Sequence, residues 1–531
     1  MGTMSARGRR LPLIVVVLLL IGAAVAGFWL TSPGRADGSV AGGQLPLLSL
    51  TFNPAACPKA ANIPAQGWDY PQAAATVEGW VARRNVVRTR VHGWSLWAAL
   101  NQVVQGEPLW RNWCTSTQAY PYQYDPSASA KARPATGDGL ASLGARRAAL
   151  TAASDPSINL AGPSYPVPSA PARCVIPTKT GSTLRDGPSF ANNTDILVAG
   201  VIYNPIAYAS IVNQQLNVKK TLNGTPLTGP NRIGNVELAP GSVVLKPMMW
   251  PVKATGYTAL PVWTGKQQDG GRYAGYERKD IWNRAVAVTP DRAGGPSIVK
   301  VQLPLTGVKR PDGTLWGANT YDAQVVGLDR FYAYKPDVGS LDPCDKAILD
   351  QSANAAYGRS FRSGDYLVMV AMHIATKEQP AWTFQSVYWS DRPNEGANSA
   401  DRPPLPAARG PWRNYLMAAT YGIPEASYGG RPPVWGVHFN PYIELAAGHP
   451  ISTNCMNCHM RGAFVPTGSS GNATYLTTKN TDDPGPIGVL APNNPIFADL
   501  VKTDFQWSLP NRAGTPPPPR RAGAGGAGAR K

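Results

Sequence analysis

The sequence predicts a β-rich α+β protein with a sandwich-like core, a few helices and long irregular loops. Short segments dense in β-branched and aromatic residues recur at 242–245, 298–305, 324–328, 365–376 and 382–389, and read as strands. The 54 glycines and 52 prolines divide the chain into many turns. Three Asn-Pro pairs, at 204–205, 440–441 and 494–495, are helix starts, because Asn caps the free amides and Pro in the first turn forfeits no hydrogen bond. With 43% apolar residues and 16 tryptophans there is ample material for a core, and no repeat of 20–50 residues is evident.

The chain begins with Arg7, Arg9 and Arg10 ahead of an uncharged run over residues 11–30, long enough to cross a bilayer as a helix. Basic residues before the run direct the remainder away from the cytoplasm. Ala24-Val25-Ala26 resembles a cleavage site, but Phe28, Trp29 and Leu30 continue the apolar run past it, which favours a retained anchor. Residues 1–38 are thus a signal or membrane anchor, which places the protein on the periplasmic face of the inner membrane, or in the periplasm if the segment is cleaved.

Residues 31–75, rich in Pro, Gly and Ala, read as an extended lead, and 80–91 as the start of folded chain. Apolar residues at helical spacing over 94–104 predict a core helix, and the Ser/Ala/Pro-rich stretch 125–180 a surface excursion. One large β-rich domain over 45–510 is expected, followed by a disordered Pro/Gly/Ala/Arg tail at 511–531.

The formal charge of +18 divides into +3 from residues 1–38, +5 from 511–531 and +10 from the middle. Such an excess favours an acidic redox partner or an anionic lipid surface by long-range attraction, or is simply a solvated basic surface. An exported chain has no nucleic acid to meet.

Cys455-Met456-Asn457-Cys458-His459 is the chemically informative stretch. Cys-x-x-Cys-His is the attachment signature of one covalent haem c: two thiols three residues apart reach the two porphyrin vinyl groups, and the next residue turns its imidazole onto the iron. Cys455 and Cys458 are the expected thioether residues and His459 the proximal ligand. The competing reading, half a zinc site or a redox dithiol, lacks a second Cys or His pair at close spacing. The haem-binding segment is taken as 435–465. Cys57, Cys114, Cys174 and Cys344 remain, and in an oxidising compartment allow two disulfides in three pairings or four isolated thiols.

No His or Met follows Met460, so a protein-derived sixth ligand must come from the domain upstream. Met456 and Met460 sit too close to the proximal His to reach the opposite face. His373 is the first candidate: it interrupts an apolar strand whose alternation puts Met369 and His373 on one side and Met372 on the other. His438, just before the helix expected at Asn440, is second; His449 and His92 are further possibilities. Each is equally readable as a core histidine bonded to backbone.

Trp94-Ser95-Leu96-Trp97-Ala98-Ala99-Leu100-Asn101, Tyr203-Asn204-Pro205, Val244-Leu245-Lys246 ahead of Trp250, Met372-His373-Ile374-Ala375-Thr376-Lys377 followed by Trp382 and Phe384, and Asn454 to His459 resemble a group of large, single-haem bacterial cytochrome c family proteins. The resemblance spans most of residues 80–510 and implies an exported haem protein, unlike the small helical cytochrome c unit. Electron transfer is the leading functional expectation. A haem-dependent oxidoreductase with an open sixth position, acting on peroxide, nitrogen oxides or oxygen, is the alternative, and a haem-containing binding or sensor module the third. Gly-x-Ser-x-Gly, His-Glu-x-x-His and phosphate-loop patterns are missing from the sequence, which leaves hydrolase and nucleotide readings without support.

Overall fold

The longest strand, Tyr366–Thr376, is buried at every position, and its near-continuous apolar sequence is what a strand covered on both faces requires. It lies at the centre of the largest sheet. The computed structural model describes residues 60–64, 67–104, 106–121, 191–192, 197–263, 284–291, 295–304, 319–339, 341, 343–395, 402, 410–422, 440–443, 455–471 and 491–516. All of them belong to one unit spanning Leu47–Lys531. The apolar run 11–30, the excursion 125–180, most of the tail, Cys57, Cys174, His438 and His449 lie outside the described residues.

The longer strands in chain order are β1 (Val243–Val252), β2 (Thr258–Pro261), β3 (Ala285–Thr289), β4 (Ile298–Leu303), β5 (Asn319–Gly327), β6 (Tyr366–Thr376), β7 (Thr383–Trp389) and β8 (Tyr415–Tyr421). Among the described residues, nine strands form an antiparallel sheet whose main run is β8-β7-β6-β1, extended by short strands at Val198–Ala199 and Ala191–Asn192. A four-stranded sheet runs β4-β5-β3-β2, with β3 and β5 parallel. A small sheet joins Ala463–Phe464, Val501–Lys502 and Gly234–Asn235. The chain is therefore β-rich with several sheets and few helices, of the α+β class expected.

Helices α1 (Ala74–Ala82), α2 (Val86–Leu100), α3 (Pro205–Asn213) and α4 (Pro343–Tyr357) accompany the sheets. In α2 the stretch from His92 to Leu100 is buried on all sides; the core helix expected over 94–104 starts earlier and stops at Leu100, and Val103–Val104 form a short strand instead. Gly93 lets it approach the sheet: a Cβ there would lie 2.8 Å from Met417 Sδ and 3.1 Å from Gln385 Cγ. At α3 the Asn204 side chain accepts from Ala207 N at 2.9 Å with Pro at the first turn, as the sequence predicted. Asn494-Pro495 starts only a single 3-10 turn, Pro495–Phe497. Asn440 caps a turn, accepting from Tyr442 N at 3.0 Å, and the rest of the expected helix lies outside the described residues.

The extended lead needs correction at its far end. Ile63 and Tyr70 are buried in the main core, and Tyr70 donates to the Gly241 carbonyl. That core also gathers Trp97 and Trp110, residues of β2–β5, and Met372 and Ile374 of β6. Ala375 of β6, Val244 of β1 and Phe384 of β7 belong to a second cluster, with Ala207 and Ile211 of α3.

Asp365, just ahead of β6, carries the densest hydrogen bonding in this part of the fold. Its carboxylate accepts from Ala254 N, Arg362 N, the Tyr357 hydroxyl and both Arg359 terminal nitrogens at 2.6–3.0 Å. Burial by itself would push this carboxyl up, but these donors outweigh it and hold it below the ordinary carboxylate value. A folded-state pKa below the unfolded one contributes stability above the ordinary carboxylate range and loses it as pH falls through the folded value. Asp365→Asn should therefore cost about 3 kcal/mol near neutral pH. In urea titrations the gap from wild type should narrow below about pH 4.

Candidate functional site

The segment Cys455–His459 forms one short helix, α5, lying over β7 and β8. Residues four apart share a helix face, so Cys455 and His459 lie on one side of α5. Cys455 is 3% exposed and lies within the second apolar cluster, together with Met456 and Phe384. Met460 N closes the helix onto the Met456 carbonyl. Met456, within α5, and Met460, just after it, are both buried.

The His459 ring lies 4.7 Å, centroid to centroid, from Phe384 of β7 and 5.2 Å from His373 of β6, with the two imidazole planes within 21°. His373 is 6% exposed and His459 half-buried, so residues distant in sequence bring two imidazoles together. His459 Nδ1 bonds the Phe505 carbonyl at 2.8 Å. A carbonyl can only accept, so Nδ1 carries the proton and the Nε2 lone pair is left for a metal. His373 Nδ1 bonds Ser386 Oγ at 3.0 Å, and that hydroxyl also accepts from Asn440 Nδ2 at 2.8 Å. When the hydroxyl accepts from His373 too, Nε2 of His373 is likewise the unprotonated nitrogen.

Burial is the main reason both imidazoles resist protonation. His459 is pushed down to about 4, partly offset by its bond to Phe505 and reinforced by Lys246. His373 is held well below its ordinary value by burial, then by His459 and Lys246. Lys246 of β1 is the direct cross-strand partner of His373. Two neutral imidazoles are what coordination needs, since only the neutral ring offers a lone pair.

Cross-strand register sets the floor of this site. His373 pairs with Ser386, Ala375 with Phe384, Ser386 with Ala418 and Phe384 with Thr420, so these side chains share one sheet face. Thr420 Oγ1 is buried there without a hydrogen-bond partner, as is Gln506 Nε2, next to Phe505. Both are donors in need of an acceptor. Small alanines, an aromatic wall, two neutral imidazoles, a buried thiol and two unpaired donors suit a flat macrocycle that carries an iron and two carboxylates. Among the described residues no group of three or more His, Cys, Asp or Glu side chains gathers as an ion site.

Met369 does not share this face. A register shift between Met369 and Ala371 makes Met369 pair with Met249, whereas His373 pairs with Lys246, and the extra residue reverses the alternation that the sequence implied. His92 is distant in role as well: it sits on α2, fully buried between the Tyr421 hydroxyl (2.6 Å) and Glu378 Oε1 (3.1 Å). Both its nitrogens are engaged. Cys114 is buried and disulfide-bonded, with its pairing outside the described residues.

No protein-family profile, curated protein or solved structure matches this chain. The site is thus read from its own geometry. Sequence inspection missed Phe505, Ser386 and Thr420, because a backbone carbonyl and two hydroxyls on strands carry no motif.

Proposed function

We propose that this protein is an exported c-type cytochrome that carries one haem on Cys455, Cys458 and His459, with His373 as the second axial ligand, and serves electron transfer. The observation that carries the reading is the pair of neutral imidazoles, 5.2 Å apart, one of them in the Cys-x-x-Cys-His segment with its Nδ1 committed to the Phe505 carbonyl. A haem held there supplies reversible one-electron chemistry.

The chain's own residues would do the rest. His459 and His373 hold the metal, Phe505 and Ser386 orient the two rings, and Phe384 with the alanines of β6 and β8 excludes water. Thr420 and Gln506 supply donors to carboxylates. If both imidazoles held the metal, no position on it would be left for peroxide, nitrogen oxides or oxygen, which favours electron transfer over those chemistries and over a sensor role. The sandwich-like core supplies the rigid sheet on which His373 stands.

A membrane anchor at residues 11–30, a periplasmic location and an acidic redox partner complete the proposal, supported by the basic excess of the chain and by the Cys114 disulfide. The test is to recover the protein from envelope fractions and record its reduced spectrum with and without carbon monoxide. A low-spin spectrum indifferent to carbon monoxide is expected. A high-spin protein that binds it readily would hand the site to the oxidoreductase reading.

A further inference from the structure

We infer that the buried Lys377–Asp504 ion pair is a positioning device that fixes the two ligand-bearing elements of the site relative to each other. The inference rests on the axial roles proposed above for His373 and His459. Lys377 directly follows β6, the strand that carries His373. Asp504 directly precedes Phe505, whose carbonyl accepts the hydrogen bond from His459 Nδ1. Lys377 Nζ donates to Asp504 Oδ2 at 2.5 Å, and both side chains are less than a tenth exposed. Glu237, largely exposed, lies further off at 3.7 Å from the same nitrogen.

The turn at Asp504 is one that the chain would not adopt unaided. Asp504 and Phe505 both have left-handed backbone, with φ of 49° and 63°, and neither is glycine. Consecutive non-glycine residues in this region are strained and persist only where their surroundings hold them. Here the Asp504 carboxylate also accepts from Leu238 N at 2.8 Å and from Trp382 Nε1 at 3.0 Å. Leu238, Lys377 and Trp382 thus grip one carboxylate from three directions. Thr503 N adds a bond to the Gly462 carbonyl, whose own amide bonds His459 O. A carbonyl aimed by this turn keeps His459 Nδ1–H engaged, which fixes the ring and raises its donor strength.

Three variants separate positioning from charge: Asp504→Asn, Lys377→Met and the two combined. In the double variant no lone charge is stranded, and the amide oxygen still accepts from Leu238 or Trp382, so the fold survives even if a single variant does not. Removing the acid alone raises the reduction potential and removing the base alone lowers it, while the double variant cancels the two charges. The double variant is therefore expected to keep an upward shift in potential and to broaden or move the low-spin g-values in electron paramagnetic resonance, through the loosened His459 bond. Wild-type potential and g-values in the folded double variant would overturn the inference while the haem reading stood. Absence of covalent haem from the wild-type protein would instead remove the reading beneath it.

Discussion

Replacing Cys455 and Cys458 together with alanine is expected to abolish covalent haem altogether. On the reading proposed above, Cys455 and Cys458 of the Cys-x-x-Cys-His segment would supply the one thioether pair that attaches the group. Denatured wild-type protein on a gel should retain haem-dependent peroxidase staining, because thioether bonds survive unfolding. The double variant should lose it entirely, whereas either single variant should keep a reduced amount through the remaining thiol. Undiminished staining in the double variant would mean that another group holds the haem, or that none is attached through this motif.

The second large effect is expected at His373. Alanine there removes an imidazole 5.2 Å from His459 while leaving the Asn440 bond to Ser386 in place. The protein should change from low-spin to high-spin and bind carbon monoxide where the wild type does not. Ligand loss should leave covalent attachment untouched, which separates this outcome from that of the cysteine variants. A low-spin spectrum unaltered by His373→Ala would pass the role to His438, then to His449 and the upstream methionines. A ligand mapped to residues 461–531 would refute the argument from residue inventory.

Much of this arrangement could be read from the chain, and the reasons differ from element to element. The buried strand at 366–376 was legible because eleven residues with little polarity leave no solvent face, and α3 because Asn-Pro is a local start signal. His373 was singled out by inventory, as one of the few histidines upstream of Cys455, and the structure brings its ring to 5.2 Å from that of His459. The side occupied by Met369 was not, because one extra residue in a ladder leaves no mark in composition yet reverses every alternation beyond it. The Asp504–Phe505 turn was illegible for a related reason. Left-handed backbone is usually announced by glycine, and here it is imposed by Lys377, Leu238 and Trp382, which lie far away in sequence.

The burial of Cys455 carries a consequence for how the protein is made. A thiol packed against Phe384 and Met456, under a sheet that is complete only when β7 and β8 have paired, is out of reach of any enzyme that stitches sulfur to a vinyl group. If haem is attached there as proposed, stitching must come first and closure second, and the chain would have to be exported in an open state. A chain allowed to close beforehand should be refractory to maturation until it is unfolded again. In that sense α5 is a one-way seam: sewn while the cloth is flat, and hidden by the fold that follows.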